Sequence, residues 1–161
     1  MQRDEQLKKI TKEPLDVLVI GGGINGAVSF AALAGQGLKV GLIDRQDFAS
    51  ETSMHSSNLV WGGIKYMESY EFGLVRKLCM SRNQLMSAYP TNIRELRFFT
   101  NLDRGFRFPA IMLYMGAFLY WLIGNCFTRP PRLLTTSNIR DEEPVVKTDK
   151  RIGGLEYSDA D

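Results

Sequence analysis

An α/β fold that opens on a βαβ unit of a parallel sheet is predicted by three features of the sequence. A short aliphatic run, Leu15 to Ile20 (LDVLVI), stops at three glycines. An alanine-rich stretch, GGGINGAVSFAALAGQG, follows. A second aliphatic run, Leu38 to Ile43 (LKVGLI), then ends on Asp44. Runs this short, rich in aliphatic and β-branched residues and bounded by glycine, read as buried strands of a parallel sheet. The stretch between them is the crossover helix, stopping at Gly35 or Gly37. Such a unit takes about 30 residues and is right-handed by the general rule.

Composition narrows the class. The chain has 161 residues, 44% hydrophobic and 24% charged, which is enough apolar material for one ordinary globular domain. A formal net charge of +2 is too small for the basic stripe of a nucleic-acid binder, so no nucleic-acid partner is expected. Cys79 and Cys126 lie far apart without a CxxC pattern, which argues against a disulfide framework or a metal site. Both are expected to be buried thiols in a reducing compartment. The start, MQRDEQLKKITKEP, mixes both charge signs and has no apolar h-region, so residues 1–14 read as a polar lead-in of a cytoplasmic chain.

Beyond the βαβ unit the pattern changes. Tyr66 to Ala88 carries apolar residues at helical spacing (Leu74, Leu78, Leu85) and Pro90 stops it, which predicts one long helix. Arg97 to Asn101 predicts a short strand. Phe108 to Thr128 has no charge, but its strongly apolar part is only about 14 residues, the length of a packed or interfacial helix rather than a membrane span. A proline-interrupted, charge-rich connector follows, TRPPRLLTTSNIRDEEPVVKTDKR, and IGGLEYSDAD predicts a further strand. Two parallel strands are fewer than a doubly wound sheet needs, so the fold is read as incomplete.

The glycines carry the first chemical signal. Gly21, Gly23 and Gly26 form GxGxxG directly after a strand and at the mouth of a helix, the context that motif requires. The first allows a tight turn, the second lets backbone N–H groups approach a pyrophosphate, and the third lets the helix pack on the strand. A helix N-terminus adds unpaired donors and partial positive charge. Asp44, about 20 residues on, stands where it accepts hydrogen bonds from an adenosine ribose. Arg45 beside it is a contact for a ribose 2′-phosphate or, in the plainer role, a surface residue at a strand end. These residues alone leave NAD and FAD open.

The stretch Thr52 to Glu68, TSMHSSNLVWGGIKYME, favours FAD. Its hydroxyls at Thr52, Ser53, Ser56 and Ser57 follow the second strand, where they donate to phosphate or ribitol oxygens. Gly62-Gly63 lets the chain pass close to a large flat ring, and Lys65 supplies a cation. A serine-rich surface loop is the plain alternative. The single histidine, His55, is read as a loop residue.

VIGGGINGA, Asp44, TSxxSSNLVWGGIKYME, YEFGLVRKL and GGLEYSDAD together resemble the FAD-dependent glycerol-3-phosphate dehydrogenases, within the flavoprotein superfamily that includes D-amino-acid oxidase. The resemblance runs from about Leu15 to the last residue. It implies that Gly21, Gly23, Ile24, Asn25, Gly26 and Asp44 hold the ADP half of FAD, and that Thr52, Ser53, Ser57 and Leu59 line the path to the isoalloxazine. It also implies hydride transfer from C2 of glycerol 3-phosphate to the flavin, with quinone as the later electron acceptor at the inner face of the cytoplasmic membrane and a peripheral association there. Lys65 and Tyr66 match the substrate end; no catalytic base is assigned. By the same resemblance residues 15–90 form part of the Rossmann-like FAD-binding domain, and 91–161 the start of a substrate or cap region, truncated.

Three positions depart from the family pattern. Asn58 stands for a cation, Trp61 for a histidine, and Lys65 for an arginine whose planar fork would grip phosphate on two sides. A less anionic substrate, or weaker hold on its phosphate, is the expected consequence. A flavoenzyme for another alcohol or amine, and a non-catalytic remnant, remain open alternatives. Cut off from the rest of its sheet, a 161-residue piece is expected to express poorly and hold FAD weakly.

Overall fold

The computed structural model describes residues 3–103, 105, 107–146 and 151–161, apart from the side chains of 151 and 152. The chain divides into two compact units, Met1–Asn58 and Leu59–Asp161.

In the first unit the expected polar lead-in is a helix, α1 (Arg3–Lys12), with Asp4 and Glu5 in its first turn and Lys9 and Lys12 in its last. That order of charges complements the helix dipole, which is why a sequence without an apolar stripe still forms a helix here. Residues 1 and 2 lie outside the described residues. The βαβ unit is present: β1 (Val17–Ile20), α2 (Ile24–Gly35) and β2 (Val40–Ile43). The two strands run parallel, with Val17 opposite Val40 and Ile20 opposite Ile43. Val19 faces α2 at Gly26, whereas Leu18 and Ile20, on the opposite face, are 46% and 80% exposed. β1 is thus not the buried strand its composition suggests: α2 covers one face, and side chains that alternate across a strand leave the other bare.

The second unit is built on an antiparallel sheet in the order β3–β5–β4, from β3 (Glu95–Asp103), β4 (Arg132–Leu134) and β5 (Arg151–Ala160). β3 is longer than the strand expected over 97–101, because all nine of its residues pair along β5, with one irregularity at Leu102/Asp103. The charged connector is partly ordered too. It contains β4 and α5 (Thr136–Glu142), whose N-cap Thr135 accepts the Asn138 backbone N–H. Its residues 147–150 lie outside the described residues.

The single helix expected over 66–88 is interrupted. A 3-10 turn covers Ile64–Met67, Tyr70 takes a left-handed φ of +59°, and only then does α3 (Phe72–Ala88) begin. A left-handed residue cannot continue a right-handed helix, so apolar spacing across 66–88 overstates its length. α4 (Ala110–Ile123) is the uncharged helix, with Pro109 as its N-cap residue. No helix among the described residues is long and apolar enough to cross a membrane. Val75 and Cys79 of α3 and Tyr120 of α4 form a fully buried cluster, with Ile64, Met67 and Tyr157 packed against it. Cys79 is buried as expected, but Cys126 is exposed. It follows α4 in a loop where Asn125 and Cys126 both have left-handed φ, which takes the thiol off the helix surface.

Candidate functional site

The glycine turn of the first unit is shaped by two constraints. Gly21 has a φ of +107°, a region L side chains rarely adopt. A Cβ on Gly26 would fall on the Gly21 carbonyl oxygen, so the helix packs against the turn only because that side chain is missing. Gly21 donates its N–H to the Ile43 carbonyl at 2.8 Å, tying the turn to β2. Ala27 N–H closes the first helical bond, on Gly23. The N–H groups of Gly23, Asn25 and Gly26 find no acceptor among the described residues. They are the orphan donors of a helix N-terminus, an arrangement that can hold an anion.

Asp44 closes that site from β2. Its Oδ2 accepts the Gly22 N–H at 2.6 Å and its Oδ1 the Gln46 N–H at 2.9 Å. These two N–H groups, Gln46 first, hold the carboxyl below its ordinary range, so it stays ionised. Arg45 is turned to Glu51, at 2.6 Å and exposed to solvent. Ser53 reaches back to the helix: its Oγ accepts the Ile24 N–H at 2.9 Å. Thr52 and Ser57 are exposed and have no protein partner among the described residues. His55 is exposed in the same loop. Asn58, where the resemblance expects a cation, sits at φ +58° and bonds to Ser56. Asparagine tolerates that conformation better than most residues, which gives it a local backbone reason to be there.

The second unit contains the rest of the hydroxyl-to-lysine stretch. Leu59 is at its surface, and Val60 pairs with Ala160, extending the sheet. Gly62 and Gly63 are buried, and the space a Cβ would take at Gly62 is filled by the Tyr120 hydroxyl, Arg82 and Cys79. The close approach that this glycine permits is therefore to the protein's own core. Gly63, at φ +83°, starts the 3-10 turn. That turn buries Ile64 and Met67 partly and leaves Lys65 and Tyr66 outside. Trp61 packs on Tyr66, ring centroids 5.6 Å apart. Lys65 lines a cleft of about 580 Å³ with Arg107, Thr100, Tyr157 and the apolar side chains of Met112 and Leu113.

Sequence reasoning missed a buried ionic cluster beneath this loop. Arg82 and Asp159, 2% and 1% exposed, pair at 3.0 Å. Tyr120 joins them, accepting from Arg82 and donating to Asp159, both at 3.0 Å. Asn83 Oδ1 accepts two further bonds from the guanidinium. Burial opposes the Arg82 charge, yet Tyr120 and Asp159 beside it hold its pKa above the ordinary value; burial pushes Cys79 and Tyr120 upward. The only sequence signal was an arginine amid the apolar spacing of a helix.

A βαβ unit with orphan donors at its glycine turn and an ionised carboxylate at the end of the second strand defines a dinucleotide-binding protein. The family described as FAD dependent oxidoreductase (DAO) matches residues 16–161, and the chain belongs to it. Among curated proteins it is 42% identical over 147 residues to D-erythritol 1-phosphate dehydrogenase of Brucella abortus (strain 2308), covering 91% of this chain and 29% of that protein. It is 44% identical over 113 residues to glycerol-3-phosphate dehydrogenase of Pseudomonas tolaasii, covering 70% and 22%. Aerobic glycerol-3-phosphate dehydrogenase of Escherichia coli (strain K12) is 37% identical over 147 residues, covering 91% and 28%. The chain thus spans less than a third of the length of these relatives. In fold it is similar to the glycerol-3-phosphate dehydrogenase from Bacillus halodurans complexed with FAD (TM-score 0.63, 22% identity, 98% of this chain and 24% of that one). It is also similar to the L-alpha-glycerophosphate oxidase from Mycoplasma pneumoniae with FAD bound (TM-score 0.61, 18% identity, 92% and 38%).

The family's cofactor fits the turn. Three unpaired N–H donors at a helix N-terminus suit a pyrophosphate, and an ionised Asp44 suits ribose hydroxyls.

Proposed function

We propose that the protein containing this chain oxidises the secondary alcohol of a polyol phosphate, glycerol 3-phosphate in the first place, with FAD as hydride acceptor and a quinone receiving the electrons afterwards. The observation that carries the reading is the glycine turn, with its open donors and Asp44 fixed across it, in a chain whose named relatives are polyol-phosphate dehydrogenases along this same N-terminal stretch.

When bound, FAD supplies the electron sink for the hydride. The residues of this chain bind and orient. Gly23, Asn25 and Gly26 hold the pyrophosphate through their open backbone N–H groups, Gly21 and Ile24, whose N–H groups are taken by Ile43 and Ser53, shape the turn around it, and Asp44 holds the ribose. In this scheme Thr52, Ser53, Ser57 and Leu59 line the flavin's path, whereas Gly62 and Gly63 serve the packing of the second unit's own core. Lys65 attracts the substrate phosphate as a point charge, and Tyr66 orients the polyol through its hydroxyl. Residues 15–90 serve the cofactor in this scheme and 91–161 open the substrate region. The protein works on the cytoplasmic side, bound peripherally to the membrane; the exposed apolar residues of α4, Ile111, Met112, Met115, Leu119 and Leu122, are consistent with that.

A second substrate is favoured by Asn58 and Trp61, which lower the basic character of the loop, by Lys65, which keeps the charge without the planar fork, and by the likeness to an erythritol-phosphate enzyme. Turnover of the intact protein with an artificial electron acceptor, on glycerol 3-phosphate, erythritol phosphate and the free polyols, tests both readings. Preference for a phosphorylated polyol upholds the function, and the chain length preferred chooses the substrate. Activity on amines or unphosphorylated alcohols alone would refute it.

A further inference from the structure

We propose that Arg82, Asp159 and Tyr120 are positioning residues that clamp the Gly62 peptide and thereby fix where Lys65 and Tyr66 stand. The role of Lys65 and Tyr66 rests on the function proposed above; the clamp rests on geometry.

The clamp holds the two peptide groups that flank one residue, Gly62. Gly62 N–H donates to Asp159 Oδ1 at 2.9 Å, and its carbonyl takes the Cys79 thiol at 3.5 Å. The same Asp159 Oδ1 takes the Arg82 guanidinium, and its Oδ2 the Tyr120 hydroxyl. Neighbouring Val60 donates to the Ala160 carbonyl at 2.9 Å, so the loop is stitched to the end of β5 at two points. Immediately after the clamp come left-handed Gly63 and the 3-10 turn, whose inner residues Ile64 and Met67 pack on Val75, Cys79 and Tyr120. Lys65 and Tyr66 are the outer residues of that turn, so their placement is inherited from the clamp.

The chemistry of the cluster suits this role better than one of stability. A buried ion pair gains little over apolar residues of equal volume, since desolvating two charges offsets their attraction. What apolar residues cannot do is hold a peptide N–H in a fixed direction. Asp159 does so with an oxygen that is itself held by Arg82 and, through its carboxyl partner, by Tyr120.

Tyr120→Phe in the intact, flavin-loaded protein is the test. It keeps the ring and the Arg82–Asp159 pair and deletes only the hydroxyl joined to both. Amide hydrogen exchange of the 60–67 segment should speed up about tenfold, the scale of one hydrogen bond near charge, while α3 and β3 exchange as before. KM for the phosphorylated polyol should rise by a similar factor with kcat little changed. Cys79→Ala, which spares the ion pair, should loosen the same segment by a smaller factor and serves if the tyrosine variant does not fold. Faster exchange spread evenly through α3, α4 and β5, or none in 60–67, would overturn the clamp. Release of 60–67 with KM unmoved would overturn the positioning. If the parent oxidises no polyol phosphate, the functional reading fails, and the exchange result still decides the clamp.

Discussion

The Asp44 carboxylate and the Gly22 backbone N–H meet at 2.6 Å across the mouth of the glycine turn, joining the end of β2 to the loop that precedes α2. Asp44 therefore shapes the turn before any ligand arrives, and in the proposed scheme its remaining lone pairs go to a ribose. Asp44→Ala removes both functions. Flavin affinity of the apo protein, followed by fluorescence titration, should fall at least about tenfold, the equivalent of one charge-assisted hydrogen bond. Asp44→Asn, which keeps one acceptor oxygen, should lie between. Equal affinity in all three would remove Asp44 from the cofactor site.

Gly62→Ala tests what the buried glycine is for. A Cβ there overlaps the Tyr120 hydroxyl, so overpacking should cost about 1–3 kcal/mol in urea unfolding of the intact protein. Because the closest overlap is with that oxygen, with Arg82 and Cys79 next, Tyr120→Phe in the same chain should recover part of the loss. A double-mutant cycle with no coupling would show that the two sites do not meet.

These two positions also mark how far the sequence could be read. The βαβ unit was legible because its signals are local: strand composition, glycine spacing, and an acid at the end of the second run. Ser53 was read as a donor to the cofactor, and the bond its Oγ accepts from Ile24 N–H was not legible. Gly62 was legible as a place of close approach, but the residues filling that space were not. Its neighbours come from α3, α4 and the end of β5, 77 residues apart in the case of Arg82 and Asp159, and no local pattern encodes such a meeting. Helical periodicity misled at 66–88 because Tyr70 leaves the helical region without a glycine or proline to announce it.

Lys65 should carry the phosphate's charge without its geometry. Lys65→Met is expected to raise KM for the phosphorylated polyol about tenfold, the upper range for losing one partly exposed ionic contact, and to leave the free polyol unaffected. Lys65→Arg, which restores a planar fork, should lower KM below that of the parent. Initial-rate kinetics on matched phosphorylated and free polyols measures both. Identical KM values for the three proteins would place the phosphate elsewhere.

The sheet of the second unit carries a prediction at acid pH. Glu156 of β5 accepts from Arg97 at 2.8 Å and from Arg132 at 2.7 Å, with 14% of its side chain exposed. The Arg97 bond first, and then Arg132, pull its pKa from an ordinary 4.5 to about 2 against the opposing effect of burial. A carboxyl depressed in the folded state adds stability above its unfolded pKa and loses it as pH falls toward its folded pKa. The contribution is thus complete above pH 4.5 and is lost on descending to about 2. Glu156→Gln cannot titrate, so its urea midpoint should start lower at neutral pH and fall less steeply across that window. All other carboxylates are common to both proteins, and the difference between the two curves isolates this one. Parallel curves would mean that the Arg97–Glu156–Arg132 bridge contributes nothing to holding β3, β4 and β5 together.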